Sequence, residues 1–160
     1  MLQINILHVG NIKDLYLADA VSEYEKRLSA SCKIRNVEIK EEKLPENPSE
    51  GEISQALRRE GDRLLASLPA KSYKIALCVE GTELSSEAFS KKLSAAAVSG
   101  YSEISFIIGS SFGMDERVKR AADLRLSVSR MTFPHRLMRV ILLEQIYRAM
   151  NLLSGGKYHK

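Results

Sequence analysis

Residues 131–153, "MTFPHRLMRVILLEQIYRAMNLL", restrict the fold more than any other stretch of this chain. Read as a helix beginning at Pro134, the segment is apolar at 137, 138, 140–143, 146, 147, 149, 150, 152 and 153. At 100° per residue, Glu144, Arg148 and Asn151 fall within about 60° of one another as a narrow polar stripe, with Glu144 and Arg148 at i,i+4 spacing. A helix apolar nearly all round has to be covered on several sides. A sheet covers one side, and the simplest cover for another is the same helix of a second copy in a two-fold dimer. Arg139 lies about 140° from Glu144 on the same wheel, among apolar neighbours, where an unpaired charge is costly. It needs a carboxylate, a set of carbonyls or a phosphate.

The rest of the chain supplies the sheet. Strand-like runs at 2–9, 32–39, 73–79, 103–109 and 124–129 alternate with helical patterns over 14–28, about 52–67, from Ser85 through the "AAA" segment, and 114–122. Five β-then-α steps, the later strands almost continuously apolar, predict an α/β domain with a mainly parallel sheet and helices on both faces. At 160 residues the chain makes a single domain, 1–160, large enough for its own core. The charged "KEEKLPENPSEGE" reads as an exposed linker, and "EGTE" as a tight turn around Gly81.

Several function classes are excluded by missing residues. Cys32 and Cys78 are far apart and form neither a metal-ligand pair nor a redox CxxC, so no metal site is expected. No uninterrupted apolar stretch reaches membrane-spanning length, and no basic leader precedes a long apolar run, which points to a soluble, cytoplasmic protein without a membrane partner. G-x-G-x-x-G and GK[ST] are both absent. "FIIGSSFGMD" leads into a helix whose first turn carries Asp115 and Glu116, which would repel a phosphate. A ligand there is neutral or cationic at its point of contact. Ser129 with His135 lacks a nearby Asp and a G-x-S-x-G elbow, so a hydrolase reading fails.

Ligands of open α/β sheets bind beyond the carboxyl ends of the strands, here "CVEGTELSS", "FIIGSSFGMD" and "SVSRMTFPH". The charge is one-sided. Residues 1–113 hold 14 Lys/Arg against 16 Asp/Glu, whereas 114–160 hold 10 against 4. That distribution suits a polyanionic partner or a solvated basic surface. The tail "SGGKYHK" ends in an aromatic, a titratable group and a cation, a set able to stack on a base and touch phosphate.

"SVSRMTFPHRLMRVILLEQIYRA" with the terminal "YHK", the start "INILHVGNIKD", the "SEYEKRL" helix and "FIIGSSFG" together resemble the small bacterial methyltransferases of the SPOUT superfamily that modify N3 of a pseudouridine in 23S ribosomal RNA. The resemblance covers essentially the whole chain. It implies a C-terminal trefoil knot, one of the rare exceptions to the rule against knots. It also implies a homodimer, S-adenosylmethionine as cofactor, and 23S ribosomal RNA, at helix 69 in the large subunit or whole ribosome, as the partner. By the same resemblance Leu77, Gly109, Val128, Ser129, Arg130, Met131, Thr132 and Phe133 contact the cofactor. His159, in the tail and acting from either subunit, or His135 would take the N3 proton, and Arg139 would stabilise the uracil oxygens. One departure stands out: family members commonly carry Gly-Gly and then, two residues on, Gly, where this chain has Gly109, Ser110, Ser111, Phe112, Gly113. Ser110 and Phe112 are expected to weaken cofactor binding or alter the loop.

Overall fold

The structure is a computed structural model that describes residues 1–158. Five strands, β1 (Leu2–Val9), β2 (Cys32–Ile39), β3 (Tyr73–Glu83), β4 (Glu103–Ile108) and β5 (Leu124–Ser127), form one sheet in the order β2-β1-β4-β3-β5. Every adjacent pair is parallel. The helices are α1 (Leu15–Leu28), α2 (Glu50–Ser67), α3 (Ser86–Val98), α4 (Glu116–Ala121) and α5 (His135–Leu153). Among the described residues no helix is long and apolar enough to cross a membrane.

Strand alternation divides the interior in two. Ile4, Ile6, Ile104, Phe106 and Ile108 face α1, α3 and α5. Leu7, Val9, Ala76 and Ile107 face α2 and α4, through Leu64 and Val118. The chain uses caps where the sequence provides them. Ser49 and Glu52 form a reciprocal capping box on α2, and Ser85 accepts the Ala88 amide at the start of α3. The expected α/β architecture with both faces covered is present.

The reading of "EGTE" as a turn is corrected. β3 does not end at Val79; it pairs with β5 through Leu77, loses register, and pairs again at Thr82 and Glu83. Residues 78–81 therefore bulge out of the ladder, and the bulge re-aims their side chains. A Cβ on Gly81 would lie 2.8 Å from the Arg125 carbonyl carbon and oxygen. Glycine is needed there because the β5 backbone approaches closely, not because the chain reverses. The linker reading of 40–52 also changes: residues 50–52 are the first turn of α2. This segment starts as a strap held to α2, with Arg63 donating to the Lys40 carbonyl at 2.8 Å and to the Glu42 carboxylate at 3.0 Å.

α5 lies between α1 and α3, and Leu142, Leu143, Ile146 and Ala149 bury against the sheet. Ser90 donates to the Ala149 carbonyl at 3.2 Å, and Tyr24 and Tyr147 meet at 6.3 Å between centroids. Arg139 is 8% exposed and its guanidinium reaches Glu25 of α1 at 3.9 Å. Asn36 donates to the same Glu25 carboxylate at 2.6 Å. The sequence carries a sign of this pair: Glu25 follows Val21 by four residues and precedes Leu28 by three, so an acid stands on the buried stripe of α1 just as a base stands among the apolar residues of α5. Glu25→Ala, which leaves a buried guanidinium without its carboxylate, is expected to destabilise the fold by about 2 kcal/mol in urea unfolding. Glu25→Ala combined with Arg139→Leu is expected to recover most of that loss. A single Glu25→Ala variant as stable as wild type would remove the pair from the account.

Candidate active site

The carboxyl ends of β3, β4 and β5 open into one cleft of about 920 Å³, within the range of small-molecule sites. Each wall is a loop set by a local feature. The β3 bulge contributes Leu77, Cys78, Val79 and Glu80. The loop after β4 contributes Gly109 to Gly113, closed by paired bonds between Ser110 and Gly113, each 3.0 Å. A Cβ on Gly109 would sit 2.3 Å from the Gly113 carbonyl oxygen, so only glycine permits this closure. The third wall, 128–134, is shaped by two serines. Ser127 donates to the Ser129 carbonyl at 2.9 Å, and the Ser129 hydroxyl accepts the Met131 amide at 3.0 Å. Pro134 then caps α5.

Seven of the eight residues expected to hold a cofactor line this cleft: Leu77, Gly109, Val128, Ser129, Met131, Thr132 and Phe133. Arg130 does not; its side chain is 92% exposed and lies 3.6 Å from Glu83, directed away by the turn around Ser129. Ser110, singled out for its lost freedom, is accommodated. No described non-glycine residue has a positive φ, and Ser110 is buried with its hydroxyl accepting the Phe112 amide at 3.3 Å. Phe112 sits 46% exposed on the cleft wall, adding apolar surface without filling the interior.

The electrostatics disfavour an anionic ligand. Asp115, the N-cap of α4, accepts the Arg117 amide at 2.9 Å, so the chain's own carboxylate occupies the helix end that a phosphate would use. Lys119 is neutralised by a hydrogen bond to Glu80 on the bulge. Burial raises the Cys78 thiol, helped by Glu80, and keeps it in its neutral form within the cleft wall.

The candidate catalytic residues are placed unequally. His135 lines the cleft, and burial pulls its pKa below the ordinary 6.5, with Arg136 adding to the effect and Glu41 opposing it. A neutral imidazole at physiological pH is able to accept a proton. Arg139 lies one turn deeper, beside His8, Gly10 and Ile108, and outside the cleft lining. Its ion pair is with Glu25 at 3.9 Å, and its Nε is buried without a hydrogen-bond partner beside a small pocket that it shares with His135 and Arg136. His8 donates from Nδ1 to the Gly10 carbonyl at 2.8 Å, and burial, then the Arg139 charge, keeps it neutral.

His159 lies outside the described residues. The residue before it does not stand free to stack on a base. Tyr158 folds back on the polar stripe of α5: its amide donates to Asn151 at 2.9 Å, its hydroxyl to Glu144 at 3.2 Å, and its ring packs edge-on against Tyr147 at 4.8 Å. Arg148 bridges Glu144 at 2.6 Å and covers the Tyr158 ring at 4.8 Å. The stripe Glu144–Arg148–Asn151 is thus the dock for the tail. The spacing of the stripe was visible in the sequence, but its occupant was not, because that contact depends on the chain reversing at Gly155 and Gly156.

The family described as "Predicted SPOUT methyltransferase" matches residues 2–159. The ribosomal RNA large subunit methyltransferase H of Leuconostoc mesenteroides is 46% identical over 159 residues, covering 99% of this chain and 100% of that one. Its counterpart from Streptococcus thermophilus is 45% identical over the same span. Among solved structures, the tRNA (m1G37) methyltransferase of Aquifex aeolicus superposes with a TM-score of 0.54 at 15% identity, over 92% of this chain and 69% of that one, a likeness of fold. With the cleft, its three loops and these full-length likenesses in agreement, the chain belongs to the SPOUT methyltransferases, in the group of the ribosomal RNA large subunit methyltransferase H proteins.

Proposed function

We propose that this methyltransferase uses S-adenosylmethionine to methylate N3 of a pseudouridine in helix 69 of 23S ribosomal RNA, on the assembled large subunit or ribosome and as a homodimer. The observation that carries the proposal is the cleft itself, where the three strand-end loops expected to hold the cofactor converge on one cavity. The residues suit such a group. Leu77, Val128, Phe133 and Met131 offer apolar surface for a nucleoside. The backbone between Ser129 and Thr132 is held by side-chain bonds, and the helix end that would attract an anion is already capped, as a sulfonium requires. When bound, the cofactor supplies an electrophilic methyl group. The chain's part is to align the target nitrogen, exclude water and accept the N3 proton.

His135 is a base already within the cleft wall, and His159 follows the docked Tyr158, whose anchoring to Glu144 and Asn151 fixes where the tail leaves the helix. Of the apolar side chains that remain exposed, Leu15, Tyr16 and Leu153 are surface that a second copy would cover. The trefoil knot belongs to the same reading. α5 returns from the edge strand β5 to lie over the sheet between α1 and α3, the course a threaded chain end would take.

Calorimetry with S-adenosylmethionine is expected to show binding to the wild-type protein, and absence of binding by the folded chain would favour an RNA-binding module without catalysis. His135→Ala and His159→Ala, assayed separately for methyl transfer to ribosomes, are expected to lower turnover about 100-fold for whichever histidine is the base. The other variant should stay near wild type; if both do, neither is the base. If His135 is the base, the rate falls as pH drops through its lowered pKa, so the acid limb of the profile lies below 6.5. A limb at or above that value would contradict the assignment. Light scattering is expected to give twice the 17.9 kDa chain mass.

A further inference from the structure

Among the described residues, three buried side-chain nitrogens have no hydrogen-bond partner: Nε2 of His135, Nε of Arg136 and Nε of Arg139. All three residues line one small pocket of about 10 Å³, whose remaining walls are residues 8–12 at the end of β1 and Ile108 of β4. Such a space holds about one oxygen atom. His135 and Arg136 also line the large cleft, so the pocket is a side chamber of it at the first turn of α5. Positions 135, 136 and 139 stand at i, i+1 and i+4, which makes both His135 and Arg136 neighbours of Arg139 on the helix surface.

A buried donor without an acceptor is costly, and three such nitrogens around one chamber call for an acceptor to fill it. An arginine Nε–H can only donate, and His135 donates from Nε2 in one of its tautomers. The surrounding charge narrows the choice. Arg139, 8% exposed, has Glu25 at 3.9 Å, a carboxylate that also accepts the Asn36 side-chain amide at 2.6 Å. Arg136 makes no ion pair among the described residues. The Glu41 carboxylate lies against Gly10, a wall of the chamber, yet bonds to none of the three nitrogens. Two guanidiniums thus share one distant counterion, and the acceptor that completes the group is an anion.

The rest of the cleft offers no better place for negative charge. Of its lining cations, Lys119 is held by Glu80, and the α4 end is taken by Asp115. The cofactor proposed for the cleft carries a carboxylate at the free end of a flexible chain, whose oxygens are unshielded. An RNA phosphate has a nucleoside on either side and is too bulky for a chamber of this size.

We infer that Arg136 and Arg139, with His135, form the subsite for the carboxylate of S-adenosylmethionine, an assignment that rests on the proposed reading of the cleft as the cofactor site. A carboxylate oxygen is the acceptor that the two Nε–H groups lack. The subsite supplies the anion contact that Lys119 and the α4 end do not.

The test uses the full-length protein with S-adenosylmethionine and with S-adenosylmethioninamine, the analogue that lacks only the carboxylate. By calorimetry the wild type is expected to bind the analogue about 30-fold more weakly, the size of a hydrogen bond between charged groups. Arg136→Gln and Arg139→Lys, the latter keeping a charge beside Glu25 without the guanidinium, should each weaken S-adenosylmethionine about tenfold. Both should bind the analogue within about threefold of the wild-type value, because the contact they lose is one the analogue cannot make. Equal binding of the two ligands by the wild type would overturn the inference without any variant having to fold. Equal losses for both ligands in the variants would assign the arginines to the fold and overturn it as well. So would unchanged affinities accompanied by a raised KM for ribosomes or a lower kcat, which would assign the pocket to the RNA. A wild type that binds neither ligand would overturn the reading of the cleft together with this inference.

Discussion

The position of α5 between α1 and α3 is the constraint on which the rest of the molecule depends. β5 is the edge strand next to β3, yet the helix that follows it packs over the sheet with its buried residues in the cluster shared by β1, β3 and β4. To make that crossing, residues 128–134 must run along the carboxyl ends of the strands, and this path turns a connecting loop into a wall of the cleft. Leu142, Leu143 and Ile146, each at most 1% exposed, supply the burial that holds the helix there, and the Glu25–Arg139 pair fixes its N-terminal half against α1. The polar stripe on the same helix then receives Tyr158, so one element closes the core, shapes the cleft and anchors the tail.

The cleft offers no anion-binding helix end. Of its lining cations, Lys119 is paired with Glu80 while Arg136 stands beside His135; the α4 N-terminus is capped by Asp115, and burial lowers the His135 pKa and raises that of Cys78. A cationic ligand therefore meets no fixed repulsion from an anion-binding helix end. Burial holds the pKa of His135, in the cleft wall, below its ordinary value.

Much of this was legible in the residues. The β-then-α alternation gave the parallel sheet, because continuous apolar strands and capped helices are local signals that tertiary contacts here reinforce. The resemblance to the family gave seven of the cleft residues, six of them within the three strand-end motifs. What could not be read depended on pairing between distant segments. The β3 bulge exists because β5 approaches at Gly81, and nothing in "EGTE" distinguishes such a bulge from a turn. Arg130 was grouped with its neighbours by sequence adjacency, but the Ser129 turn sends it outward. Glu60 carries no signal at all, since an acid in a charged helix reads as surface until the Glu42 amide is brought to it. Arg139 and Glu25 lie between these cases: each breaks an apolar stripe, and two such breaks of opposite sign are a pairing signal that is clear once the helices are known to touch.

The central claim is that this cleft directs a methyl group to one nitrogen of one modified base in the large subunit. Mass spectrometry of 23S ribosomal RNA after incubation with the protein and S-adenosylmethionine tests it most directly, comparing ribosomes that carry the helix 69 pseudouridines with ribosomes that have uridine in their place. The account predicts one added methyl group at N3 of a pseudouridine in the first and none, or very little, in the second. Equal methylation of both, or methylation elsewhere in the RNA with none in helix 69, would contradict it.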